Sequence, residues 1–181
     1  LQPGRYFVVS AHREENIDQE KNFFALMEAV NALADKYGLP VIYSTHPRSA
    51  KFIEQRQFEF HPLVRSLKPF SFSDYNHLQL HAFCVVSDSG TLPEEAAYFK
   101  FPAVCVRTST ERPESIEKGN FVLGGLSTEG VLQAVEMAVA MGRNSDLGAD
   151  VPDYVDENVS TKVIKIIQSY TDVVNRRVWG K

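Results

Sequence analysis

Six short apolar runs alternate with stretches of helical periodicity, and no other feature constrains the fold of this chain as tightly. The runs are RYFVVS (5–10), LPVIYST (39–45), HPLVRSLKPF (61–70), FCVVSD (83–88), PAVCVR (102–107) and NFVLGG (120–125). They read as strands, mostly buried on both faces because the apolar residues are continuous rather than alternating. Between the first two, Phe23, Phe24, Met27, Val30, Ala34 and Tyr37 recur at helical spacing, and Gly38 is placed to end that helix. PRSAKFIEQRQ (47–57) reads as a helix with Pro47 in its first turn, and DYNHLQLHA (74–82) as a short helix with Asp74 as N-cap. TLPEEAAYFK (91–100) gives a helix opening at Pro93, and ESIEKG (114–119) a helical turn. STEGVLQAVEMAVAMG (127–142) gives a long amphipathic helix capped by Ser127 or Thr128, and a last helix covers 159–179 after a stretch rich in Pro, Asp and Gly. Strands alternating with helices predict an α/β fold, one Rossmann-like, doubly wound parallel sheet with no internal domain boundary.

Bulk properties exclude several function classes. With 181 residues, 44% hydrophobic and 23% charged, the chain has enough material for one well-formed core. A net charge of −4 lacks the basic stripe of a nucleic-acid surface. No apolar run approaches the roughly 20 residues of a membrane span, and LQPGRY has neither the basic region nor the apolar core of a signal peptide. The two cysteines, Cys84 and Cys105, lie inside strand runs, so buried free thiols and a cytoplasmic location are expected. The chain starts at Leu1 and goes almost at once into a strand, as a fragment of a longer protein would.

In an open parallel sheet, ligands bind beyond the carboxyl ends of the strands. Four polar clusters fall there: SAHREEN (10–16), STHPR (44–48), SDSGT (87–91) and STERPE (109–114). In SDSGTLPEE, Gly90 permits close backbone approach, Ser89 and Thr91 supply hydroxyls, and the helix start offers N–H groups to an anion such as a diphosphate. The bland reading, a capped helix with acids favouring its dipole, fits this stretch alone equally well. Glu94 and Glu95 would repel a phosphate beside them, but one turn along the helix a carboxylate can accept both hydroxyls of a ribose. Arg112 suits phosphate oxygens, with flanking carboxylates available to hold its guanidinium. His12 carries an imidazole, the side chain best suited to proton transfer near neutrality, and STHPR repeats the arrangement with His46 and Arg48. A lone ERPE turn or a lone His after a strand is more often structural. No metal motif, GxGxxG or Walker sequence is present, so neither a metal nor a cofactor is expected.

HREEN, STHPR, SDSGTLPEEA and ERPE, in this order and spacing, resemble the C-terminal half of the non-hydrolysing UDP-N-acetylglucosamine 2-epimerases, over essentially the whole chain. The resemblance implies one half of a glycosyltransferase-B-type enzyme with two Rossmann-like domains, its active site in the cleft between them. It also implies inversion at C2 of a UDP-2-acetamido sugar through UDP elimination and re-addition. By the same resemblance, Ser89, Gly90 and Thr91 hold the diphosphate, Glu95 the ribose hydroxyls and Arg112 phosphate. Tyr75 belongs to the uracil-contacting stretch, His12 is the functional histidine, and Arg13 and His46 line the cleft, where some bacterial members bind a second, regulatory UDP-sugar. The partners implied are a UDP-sugar and an N-terminal domain absent from this chain, toward which residues 147–181 would pack and through which members usually dimerise. The missing domain carries the carboxylates closest to C2 deprotonation, so the chain by itself should be inactive.

Two departures point to a branch of the family. Arg13-Glu14 replaces the usual paired arginine, and Gly90-Thr91 the usual double glycine. Both resemble the branch that forms UDP-N-acetyl-L-fucosamine for surface polysaccharides from a 6-deoxy-L-talose derivative. The alternatives are a hydrolysing epimerase that releases UDP, a UDP-sugar glycosyltransferase of the same architecture, and a catalytically silent UDP-sugar-binding module.

Overall fold

The computed structural model describes residues 1–181 and resolves them into two compact units, Leu1–Val151 and Pro152–Lys181. The sequence suggested no internal boundary, and the boundary falls within the Pro/Asp/Gly-rich stretch.

In the first unit, six parallel strands lie in the order β3-β2-β1-β4-β5-β6. They are β1 (Phe7–Ser10), β2 (Val41–Ser44), β3 (Val64–Leu67), β4 (Cys84–Ser87), β5 (Ala103–Cys105) and β6 (Val122–Leu123). Each crossover carries helix: α1 (Glu14–Ile17) and α2 (Glu20–Tyr37), α3 (Pro47–Gln55), α4 (Phe72–Leu80), α5 (Leu92–Phe99) and α6 (Pro113–Glu117), with α7 (Thr128–Arg143) after β6. The alternation of side chains along β1 separates two cores. Phe7 and Val9 join Leu26, Met27 and Val30 of α2 and Val131 and Val135 of α7. Tyr6 and Val8 join Leu92 and Ala96 of α5, with Tyr75 and Leu78 of α4 packed on that layer. Both faces are covered, which is why the strand runs are uninterruptedly apolar. Strand β3 is an edge with only Val64 buried, and this weaker demand for apolar residues explains why it is the faintest strand in the sequence.

Local signals behave as their chemistry requires. Gly38 ends α2 at φ 60°, Pro47 opens α3, and the Ser127 hydroxyl accepts the Gly130 N–H at the start of α7. One expectation needs correction. Ser71, not Asp74, caps α4: its Oγ accepts the Asp74 N–H at 3.2 Å and donates to Asp74 Oδ2 at 2.7 Å. Within the first polar cluster, Glu14–Ile17 forms the helical turn α1, which the sequence reading did not mark. Cys84 and Cys105 are free and buried, and burial pushes both thiols up, Cys105 to about 11.

The second unit holds a single 3-10 turn (Pro152–Tyr154) and α8 (Val159–Arg177). Val159, Val163, Ile166, Ile167, Tyr170 and Val174 of α8 recur at helical spacing and are all exposed.

Candidate functional site at the strand switch point

Strand order reverses between β1 and β4, whose last residues Ser10 and Ser87 are register partners. A crevice at such a point is where doubly wound sheets bind ligands. Asp88 follows β4 and is completely buried. Its Oδ2 accepts the backbone N–H of His12 (3.0 Å) and Arg13 (2.9 Å) and the side-chain amide of Asn16 (3.0 Å), and Oδ1 also faces the His12 N–H at 3.1 Å. Asn16 donates as well to the Val106 carbonyl at 3.0 Å. One buried carboxylate thus ties the loop after β1 to the end of β4 and the segment after β5. The sequence reading missed Asp88 and Asn16 as organisers. The signal was the lone acid between two serines after an apolar run, a position where an unpaired charge would be costly.

His12 stands on this anchor. Its Nδ1 lies 3.6 Å from Asp88 Oδ1, and its half-exposed ring stacks on His46 with centroids 5.3 Å apart. His46 Nδ1 in turn accepts the Arg48 N–H at 3.2 Å, capping α3. His12, Arg13, Glu14, Glu15, His46 and Arg48 line one open depression, so the first two clusters converge. Its cations are already matched. Arg48 pairs with Glu14 (2.8 Å) and with Asp18, while Arg13 pairs with Glu15 (2.8 Å) and approaches Glu111 (3.5 Å).

The SDSGT loop forms the other side. Ser89 Oγ and Thr91 Oγ1 lie 3.0 Å apart, and the Thr91 and Leu92 N–H groups turn back to Ser89. Helix α5 opens at Leu92, one residue before the expected Pro93, and the proline has no N–H. The donors at this helix start are therefore fewer than the sequence suggested, leaving those of Gly90 and Glu94. At Gly90 an added Cβ would meet nothing within 4 Å, and the backbone is not left-handed. Neither packing nor conformation demands glycine there; what its absent side chain provides is open space over the loop.

The two adjacent acids have separate partners. Glu94 Oε1 accepts Arg112 Nε at 2.6 Å, so its charge is turned onto the arginine. Glu95 Oε1 accepts the Thr91 hydroxyl at 2.8 Å and its Oε2 the Gln79 amide at 2.7 Å. The expected support of Arg112 by flanking acids is corrected at Glu111, which is gripped by Arg107 through both carboxylate oxygens. That grip holds the Glu111 carboxyl down to about 2. Buried Arg107, the last residue of the PAVCVR run, carried no role in the sequence reading. The Tyr75 phenol faces Ser10 and Ser87 at the switch point, and burial, with the nearby Glu95 charge, pushes it up to about 12. Tyr75, Glu95, Thr91, Ser89 and Arg112 thus border the α5 start, with His12 and Arg13 held to it through Asp88.

Comparison with known proteins follows the same outline. The family model for UDP-N-acetylglucosamine 2-epimerase matches residues 1–168. The UDP-N-acetylglucosamine 2-epimerase of Methanococcus maripaludis is 30% identical over 144 residues, 77% of this chain and 39% of its own length. The solved structure of UDP-N-acetylglucosamine 2-epimerase from Rickettsia bellii is similar over all of this chain and 48% of its own, at 36% identity and a TM-score of 0.82. That of the Methanocaldococcus jannaschii enzyme, in complex with UDP-GlcNAc and UDP, covers 91% of this chain and 45% of its own at 26% identity and a TM-score of 0.81. The chain therefore spans well under two thirds of the length of the curated relatives it matches. Motif order, sheet order and these matches agree: the chain belongs to the UDP-N-acetylglucosamine 2-epimerase family.

Proposed function

We propose that this chain is the UDP-binding half of a 2-epimerase acting on a UDP-2-acetamido sugar. The observation that carries the reading is Glu95, fixed at both oxygens beside an open glycine loop at the start of α5. A carboxylate held this way can accept a pair of ribose hydroxyls while the diphosphate lies over Ser89, Gly90 and Thr91. Arg112, steered by Glu94, adds positive charge to the diphosphate, and Tyr75 borders the base.

In the complete enzyme a base removes the C2 proton and the electron pair forms a C1–C2 double bond. The C1–oxygen bond breaks, with its electrons leaving on UDP. The reverse addition places the proton on the other face of C2. Departure of UDP is favoured by donors and positive charge aimed at the diphosphate, which this half supplies. His12, held above Asp88, stands at the edge where a second domain would close the cleft, and Arg13 and His46 line that edge. In the glycosyltransferase-B arrangement proposed here, the exposed apolar face of α8 is covered by the N-terminal domain, which supplies the remaining catalytic carboxylates. Without it this chain binds nucleotide and does not turn over. The Arg13-Glu14 and Gly90-Thr91 pairs favour a 6-deoxy-L-talose derivative over UDP-N-acetylglucosamine as the substrate.

Calorimetric titration with UDP, against ADP as control, tests the binding half. Uridine-selective binding that is lost in Arg112→Ala and Glu95→Ala is expected. Equal binding of ADP, or binding indifferent to both substitutions, refutes the assignment. For the whole protein, deuterium from D2O should enter C2 of the sugar during turnover. Accumulation of free UDP in step with product would identify a hydrolysing enzyme instead.

A further inference from the structure

Gln79 is buried beside the site, at 1% exposure in the last turn of α4. Its Nε2 donates to Glu95 Oε2 at 2.7 Å, while its Oε1 is buried with no hydrogen-bond partner. An amide with one end unsatisfied is a poor choice for packing alone, since an apolar side chain of similar size would strand no polar atom. The bond that it does make goes to the carboxylate assigned to ribose. Resting on that assignment, we propose that Gln79 is a positioning residue that makes the nucleotide site selective for ribose hydroxyls.

The geometry gives the reason. Thr91 lies in the same turn as Glu95 and reaches only Oε1. Gln79 comes from another helix and fixes Oε2, so the plane of the carboxylate is set from two elements at once. Each oxygen keeps a lone pair for one further bond, matching two neighbouring hydroxyls. With Gln79 removed, the carboxylate is tethered at one oxygen and rotates about its terminal torsion, which is intrinsically broad. Recognition of the hydroxyl pair then weakens, while contacts to base and diphosphate are untouched.

The test compares UDP with 2′,3′-dideoxy-UDP by calorimetry on this chain, with thermal melting as a folding control. The unaltered chain should prefer UDP by about tenfold or more, the range of hydrogen bonds to a charged acceptor. In Gln79→Leu the preference should fall to about threefold or less, through weaker UDP binding, with dideoxy-UDP affinity unchanged. Gln79→Met keeps the length of the side chain but offers Glu95 no donor, so it should lose the preference too and serves where the leucine variant fails to fold. Full ribose preference in either folded variant overturns the proposal. An unaltered chain that binds both ligands equally sinks the ribose assignment while leaving UDP binding intact. One that binds neither refutes both readings.

Discussion

Removing the Asp88 carboxylate should do more damage than any other single change at the site. Its two oxygens serve three donors, the N–H groups of His12 and Arg13 and the Asn16 amide, and none of the carboxylate is exposed. Asp88→Asn retains one oxygen. The cheaper orientation leaves it for Arg13 and Asn16 and turns the new NH2 toward His12, costing roughly 1–3 kcal/mol for one mismatched buried contact. Asp88→Ala strands all three donors. Partial hydration of the space limits the loss to about 3–5 kcal/mol, the upper range for single substitutions. Near this chain length each kcal/mol moves the midpoint by about 2–4 °C, so the alanine variant should melt roughly 6–20 °C lower. Urea unfolding of the parent and both variants gives the ranking. Amide exchange should also accelerate at His12 and Arg13 well before the remote pairs of β2 and β3. An alanine variant within about 1 kcal/mol of the parent, or an asparagine variant worse than alanine, would refute the role given to this carboxylate.

Two glycines should separate function from packing. Gly124→Ala sets a Cβ 2.9 Å from Val104 Cγ1 and 3.1 Å from Ala134 Cβ, and overpacking of that kind costs about 1–3 kcal/mol in urea titration. Gly90→Ala meets open space, so its melting point should hold while UDP affinity falls; unchanged affinity would remove the loop from the diphosphate site. Glu111 is held down to about 2 from 4.5, so the stability it contributes is complete above its unfolded value and lost as pH falls from about 4.5 through 2. Glu111→Gln should therefore lower the unfolding midpoint at neutral pH and converge with the parent near pH 2; a gap that widens in acid would contradict the Arg107 pairing. Cys84 and Cys105 should react with a thiol reagent only after unfolding, and rapid labelling of either in the folded chain would contradict their burial.

What the sequence disclosed tracks how local each signal is. Strands buried on both faces announce themselves as unbroken apolar runs, and helix ends such as Gly38 and Ser127 depend on one residue and its backbone. The cluster residues His12, Ser89, Glu95 and Arg112 were visible because they follow strands or open helices, where the fold class itself directs attention. Their partners were not. That Glu94 serves Arg112, and that Glu111 serves Arg107 instead, depends on side chains 18 and 4 residues apart meeting across loops whose paths no periodicity encodes. Gln79 lay hidden for a similar reason: it sits in an ordinary polar helix position, and only the approach of α5 turns it into a buried contact. The Asp74 error was a competition between adjacent capping residues, which Ser71 won by reaching the Asp74 N–H from outside the helix.

The electrostatics of the carboxyl edge divide it into two unlike halves, and this bears on which anions it can take. Toward β2, Arg48 is paired to Glu14 and Asp18, and Arg13 to Glu15 and Glu111. An incoming diphosphate there would have to displace carboxylates already bonded to both arginines, and would meet their repulsion afterwards. Glu14 stands where the resembling family usually carries a second arginine, so the local balance shifts by two charges and the displaced positive charge is not restored nearby. Toward β5 the situation differs, because the Gly90 loop is open, with nothing within 4 Å of an added Cβ. The proposed function accordingly seats the nucleotide diphosphate over α5 rather than over α3. The same residues that suggest a separate branch by their identity therefore argue, by their pairing, for one anionic sugar-nucleotide site on this half rather than two. The complete enzyme should accordingly show hyperbolic dependence on its UDP-sugar, and sigmoidal kinetics would mean that the Glu14–Arg48 pair yields to a second anion.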